Sequence, residues 1–266
     1  MHLEYLSTLG LCVVQQSPLL LNFAGEEDEI AVPEEPAQKY HPQSQTRREH
    51  RDSAGGRELK ISKTLVQILR HTALEFDIDV RPDGFCLLQE VLGCKWLASL
   101  NATQADVERI VAGNDKKRFE LKEDEGRFFV RAVQGHSMKA VDDDQLLEHV
   151  TLKNLPDCCV HGTYRKHFES IKAKGLLVGG RQGRSFRNHV HFSSFKPGDK
   201  RVISGMRYDC DIGIWIDLKK AIEDGVPFYM SANQVILSPG IDGVVDKKYF
   251  TQARDLRNKK DLSLAG

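Results

Sequence analysis

Residues 186–193 read FRNHVHFS and set Arg187, His189 and His191 at alternate positions. In an extended strand side chains alternate between faces, so these three would share one face in a row of about 13 Å. A face carrying a guanidinium and two imidazoles suits a metal, an anionic ligand or a solvated edge. Zinc takes three or four N, S or O ligands, and an HxH pair supplies two. His136 or His161 could add a third, yet no cysteine or carboxylate stands at a telling spacing. An anion is served by arginine, whose planar fork holds phosphate bidentately and keeps its proton.

Other residues extend the set. Arg70 and His71 close a helical stretch, where the macrodipole favours cations by roughly 0.3–1 kcal/mol, an ordinary structural reason for both. Arg70 follows Lys63 and Gln67 at helical spacing, so the three are expected on one polar stripe. Arg118 opens a strand beside Lys116 and Lys117 and signals little alone. QGHS (134–137) places His136 and Ser137 after a glycine, and HGT (161–163) places His161 beside Gly162 and Thr163. Glycine lets a ligand approach the main chain, whose N–H and C=O then suit a planar amide. A nucleophilic triad is disfavoured: no GxSxG occurs, and Cys158 and Cys159 sit in an apolar stretch. GLLVGGRQGR follows a helix instead of joining strand to helix, which fits neither a P-loop nor a dinucleotide fingerprint.

The chain that must position these residues has 266 of them, enough for one large domain or two modest ones. Lysine and arginine (38) balance aspartate and glutamate (38), so phosphates would be met by a local patch and not by net charge. Six cysteines without a CxxC pair read as reduced thiols, which suits cytoplasm or nucleus. No apolar run approaches the ~18 residues of a membrane helix. Residues 1–56 are polar, Pro-containing and blocky in charge, and are expected to be a disordered tail. From Glu58 a helical stripe at 61, 65, 68 and 69 begins. A turn at 82–84, a short helix, a helix capped by Thr103 and stopped by Gly113, and a hairpin about EDEG follow. Helices then a hairpin is the order of a winged-helix unit, expected over 57–150. The second half, 151–255, shows short strands at CCVHGT, HVHFSS, IGIWIDL and FYMSANQVILS and a helix with Phe168 inward and Gly175 at its end. This predicts an α+β protein of two lobes, the second a mixed sheet, with a hinge near DDDQLLEHVTLKNLP and a C-terminal tail at 256–266.

LRH (69–71), KRF (117–119), QGHS, HGT, RNHVHF (187–192), ISGMR (203–207) and SANQVILSPG (231–240), in this order, resemble the tRNA 2′-phosphotransferases, NAD-consuming members of the ADP-ribosyltransferase superfamily. The likeness runs from about Glu58 to KKYF at 247–250. It implies a winged-helix lobe and an ADP-ribosyltransferase lobe with the site between them. The family's catalytic group maps onto Arg70, His71, Arg118 and Arg187. NAD would be held by His161, Gly162, Thr163 and His191, with Ser231 and Asn233, and His136, Ser137, His189 and Lys117 would lie near the RNA phosphate. The implied reaction moves an internal RNA 2′-phosphate, as in spliced tRNA, to NAD. It yields 2′-OH RNA, nicotinamide and ADP-ribose 1″,2″-cyclic phosphate, with no metal. Phe192 stands where leucine is usual, and the long N-terminal segment departs from the pattern. An ADP-ribosyltransferase modifying nucleic-acid terminal phosphates or protein, and an inactive binding module, are the alternatives. A monomer is expected.

Overall fold

The computed structural model describes residues 45–179 and 187–265. The expected tail up to residue 44 and the glycine-rich stretch from residue 180 lie outside the described residues. Helix α1 spans Gln45–Gln67, so the helix starts well ahead of Glu58. Part of the reason is Arg57, which donates to both carboxylate oxygens of Asp106 at 3.0 and 2.8 Å and pins the upstream turn. A π-helical turn, Ile68–Thr72, and a 3₁₀ turn, Ala73–Phe76, follow directly.

Next come β1 (Cys86–Leu87), α2 (Leu88–Gly93), α3 (Lys95–Ala98) and α4 (Gln104–Ala112). Thr103 caps α4 in a reciprocal box with Asp106, which satisfies two otherwise orphaned N–H groups. Strands β2 (Phe119–Asp124) and β3 (Arg127–Ala132) form a hairpin, and β1 joins β3 to make three antiparallel strands. Glu125 and Gly126 both have positive φ, the two-residue turn whose twist matches paired strands. Ile61, Leu65, Ile68 and Leu69 are fully buried in the first core, as their spacing predicts, together with Val91, Leu97, Val107 and Val130.

The second core lies under a larger sheet. Its elements are α5 (Asp143–Leu146), β4 (Glu148–His149), β5 (Val160–Thr163), α6 (Arg165–Lys174), β6 (Leu176–Leu177), β7 (Val190–Ser193) and β8 (Ile212–Ile216). They continue with α7 (Leu218–Glu223), β9 (Tyr229–Met230), β10 (Val235–Ser238), β11 (Val244–Val245), β12 (Phe250–Asp255) and β13 (Asp261–Leu262). Eight strands run in the order β13-β12-β8-β5-β7-β10-β9-β4. Every pairing is antiparallel, so the sheet is not mixed. FYMSANQVILS is two strands and not one, because the chain reverses through Ser231–Gln234, with Gln234 at φ 63°. The stretch expected as a hinge supplies β4 at the sheet edge, and the expected C-terminal tail supplies β13. Phe168, Phe192, Ile212, Ile214 and Ile236 are buried in this second core.

Candidate active site

Arg70 and His71 sit in the π-helical turn, the kind of helix irregularity found often at functional sites. The wider turn breaks the α-helical register, so Arg70 leaves the stripe expected with Lys63 and Gln67. Those two are exposed, while Arg70 is only 5% exposed. Its guanidinium lies against Gly135, where a Cβ would stand 3.2 Å from Arg70 Nη1. Gly135 has φ +85°, so glycine is favoured there on two counts. Arg70 Nε and Nη2 are buried and find no partner among the described residues. Burial, with the fields of Arg187 and Arg118, lowers its pKa to about 10, still a full cation at neutral pH.

Ser137 joins this turn from the other side. Its N–H donates to Arg70 O at 2.9 Å, and its Oγ lies 2.9 Å from His71 Nδ1. Burial, then Arg70 and Arg187, push the His71 pKa down, so the ring is neutral at pH 7. Arg118 is half-buried at the mouth of β2, and burial lowers its pKa too. Its N–H donates to Asn114 Oδ1 at 3.2 Å, and Lys117 beside it takes φ 42°. Asn233 donates to Lys116 O at 2.8 Å and bonds Ser231 Oγ at 2.8 Å. Both side chains are buried, and they brace the Arg118 loop instead of lining open space. Arg187 is exposed and precedes β7.

The strand expected to carry Arg187, His189 and His191 on one face begins only at Val190, after a bend at Asn188 and His189. Its histidines are bound in a ladder. His161 Nδ1 lies 2.9 Å from His191 O, and His191 Nδ1 lies 3.0 Å from His189 O. His189 Nε2 meets Asp143 Oδ2 at 2.7 Å, which commits that nitrogen to a carboxylate. Burial pushes the His161 and His191 pKa values down, so these rings are neutral. His136 is buried, Nε2 unpaired, its pKa lowered to about 3 by burial and then by Arg70. His71, His136, His161 and His191 therefore add no positive charge beside the arginines at neutral pH.

A second feature lies on β5. Cys159 O accepts from Ile216 N–H and Thr163 O from Asp211 N–H, so residues 159, 161 and 163 face β8. Main-chain direction alternates along a strand, so the N–H and C=O of Gly162 face the β7 side. There β5 and β7 pair only at Val160 and Ser193 and then part. Gly162 thus offers a donor and an acceptor to the gap where β5 and β7 part, while Met206 covers its Cα where a Cβ would stand. Thr163 is buried.

Sequence reasoning missed four residues. Gln134 lies 2.8 Å from His191 Nε2, and Asp143 fixes His189. Burial and then Arg207 lower the pKa of Arg187, Arg207 bonds Tyr164 Oη at 3.3 Å, and Met206 covers Gly162. Gln134, Met206 and Arg207 stand inside QGHS and ISGMR, where the signal was present; nothing in the spacing points to Asp143.

Among the described residues no three His, Cys, Asp or Glu side chains gather as metal ligands. No described helix is long and apolar enough to cross a membrane. Buried Arg70, in the field of half-buried Arg118 and exposed Arg187, in an α+β fold, is an arrangement suited to an anion such as phosphate. The chain belongs to the RNA 2′-phosphotransferase, Tpt1 / KptA family, whose model matches residues 56–240. It is 43% identical over 224 residues to tRNA 2′-phosphotransferase 1 of Mus musculus, covering 83% of this chain and 86% of the relative. It is 34% identical over 191 residues to tRNA 2′-phosphotransferase of Saccharomyces cerevisiae, 70% and 80% of the two chains. A probable RNA 2′-phosphotransferase of Acaryochloris marina is 35% identical over 192 residues, 72% and 95%.

Proposed function

We propose that the protein removes an internal 2′-phosphate from RNA, such as spliced tRNA, by transferring it to NAD. The first core is then the winged-helix lobe, and the eight-stranded sheet the ADP-ribosyltransferase lobe. The observation that carries this reading is Arg70, a buried cation with unpaired Nε and Nη2 beside Arg118 and Arg187. A buried guanidinium without an acceptor is costly, and a bound phosphate removes that cost.

NAD enters as a substrate and is consumed. The residues present fit it: the free N–H and C=O of Gly162 suit the planar carboxamide of nicotinamide. His161, with Nδ1 committed to His191 O, leaves Nε2 as an acceptor for a ribose hydroxyl. In the first step a phosphate oxygen forms a bond to the ribose anomeric carbon as the carbon–nitrogen bond breaks and nicotinamide leaves. The arginines align the phosphate for this attack. In the second step the ribose 2″-hydroxyl attacks phosphorus and loses its proton, and the bond from phosphorus to the RNA 2′-oxygen breaks. That oxygen takes up a proton, giving 2′-OH RNA and ADP-ribose 1″,2″-cyclic phosphate. Fixed guanidiniums stabilise the charge that develops on the phosphoryl group. Neutral His71, held by Ser137, is placed to hydrogen bond or move a proton there.

The test is a short RNA with one internal 2′-phosphate, incubated with and without NAD. NAD-dependent loss of the phosphate with release of the cyclic product is expected. An ADP-ribosylated RNA that persists, or phosphate retained with NAD unspent, overturns the reading.

A further inference from the structure

We infer that Gln134 is a positioning residue: its carboxamide NH2 donates to His191 Nε2 and holds His191 as the neutral Nδ1–H tautomer, which in turn aligns His161 beside Gly162. The link to the reaction rests on the function proposed above; the tautomer does not.

A carbonyl oxygen can only accept, so His191 Nδ1, 3.0 Å from His189 O, carries a hydrogen. A neutral imidazole has one N–H, so Nε2 is bare and must accept. The Gln134 amide lies there with Oε1 placed 2.8 Å away and its nitrogen towards Ser204 Oγ. The two ends of an amide are told apart only by their partners, and here only the NH2 end can satisfy the ring. Turning the amide over leaves Oε1 for the Ser204 hydroxyl, in the position where the nitrogen stands 3.5 Å from Oγ. The alternative, a doubly protonated His191 donating to Gln134, would put a cation in a buried place already faced by Arg187 and Arg70. His189 and His161 are the other titratable groups against it.

The placement gives the bond its use. Gln134 is buried and precedes Gly135, which houses the Arg70 guanidinium. His191 lies on β7 and receives His161 Nδ1–H on its main-chain oxygen. One carboxamide therefore ties the strand end that seats the phosphate-binding arginine to the strand that orients the HGT histidine. Glutamate at 134 cannot donate, so His191 would have to bind a second proton to keep the contact. Methionine keeps the volume and removes the donor without adding a charge.

The experiment uses the full chain labelled with ¹⁵N-histidine, and long-range ¹H–¹⁵N correlation spectra between pH 6 and 8.5. The His191 signal is assigned from its absence in His191→Gln. Wild-type His191 and His161 are expected as Nδ1–H tautomers throughout. Gln134→Glu should turn His191 into imidazolium at neutral pH and raise KM for NAD roughly tenfold, with recovery as pH rises. Gln134→Met should let the Nε2–H tautomer of His191 appear and raise KM for NAD without a new pH dependence; it carries the test if the glutamate variant does not fold, and an unchanged tautomer and KM in it overturns the inference. An Nε2–H tautomer in the wild type, or Gln134→Glu with wild-type spectra and pH profile, overturns the inference. Spectra as expected from a protein that never consumes NAD would sustain the tautomer assignment while refuting the proposed reaction.

Discussion

Replacing Gly135 with alanine would perturb the site through a single methyl group. The residue sits at φ +85°, where an L side chain is strained by roughly 1–2 kcal/mol. For a chain of this size that lowers Tm by about 2–8 °C. The new Cβ would also stand 3.2 and 3.3 Å from Arg70 Nη1 and Cζ, so the guanidinium must give by a few tenths of an ångström. If a 1 Å error costs about a hundredfold, a shift of about 0.3 Å scales to a roughly fourfold loss of turnover. Gly126→Ala is the matched control, because Gly126 has φ +72° with nothing within 4 Å of an added Cβ. Both variants should lose thermal stability, read by circular dichroism, and only Gly135→Ala should lose phosphate transfer at 25 °C. Equal losses of turnover in the two, or full turnover in Gly135→Ala, would refute the idea that Gly135 seats Arg70.

Asn233→Ala removes the bond to Lys116 O and should cost about 1–3 kcal/mol in urea unfolding, with weaker RNA binding as the Arg118 loop loosens. Unchanged stability would remove its bracing role. Ser137→Ala frees His71 Nδ1 and should lower kcat more than KM for NAD, at a stability cost of about 1 kcal/mol. His136, His161 and His191 all have depressed pKa values in the fold, so below the ordinary 6.5 the unfolded chain binds more protons. Their contribution is complete above that value and lost as pH falls, by up to about 1.4 kcal/mol per pH unit for each ring. For His136 the loss continues to about pH 3. Unfolding free energies that stay flat between pH 7 and 5 would contradict this.

The parts of the fold that follow from local chemistry were legible. The apolar stripe of α1, the Thr103 cap, the EDEG hairpin and the Gly175 stop each depend on a few neighbouring residues, and each is present. The parts set by long-range packing were not. Nothing in ILRHT announces a π-helical turn, because that turn arises where a helix must deliver Arg70 under Gly135, 65 residues away in sequence. Alternation placed Arg187, His189 and His191 on one face, but alternation holds only inside a strand, and this one starts at Val190. The motif order named Ser231 and Asn233 as ligand contacts. Their hydrogen bonds turn inward, which only the partner at Lys116 reveals.

The division of labour between permanent cations and neutral imidazoles also explains why position 70 wants arginine beyond its forked geometry. Burial and two neighbouring guanidiniums carry the Arg70 pKa down to about 10, which costs it no charge in a neutral solution. A lysine begins about 2 units lower, and the same burial and the same neighbours would pull it the same way. It would then shed its proton within reach of an ordinary assay. Arg70→Lys should therefore be impaired at pH 7 by loss of the fork, and impaired further as pH rises towards 9.5, where the ammonium is lost. The wild-type enzyme should show no such alkaline loss from this residue. Rate profiles of the two proteins from pH 6.5 to 9.5 decide it. Parallel profiles would mean that the site does not desolvate this cation, and the case for Arg70 as the buried anchor of the phosphate would fail with it.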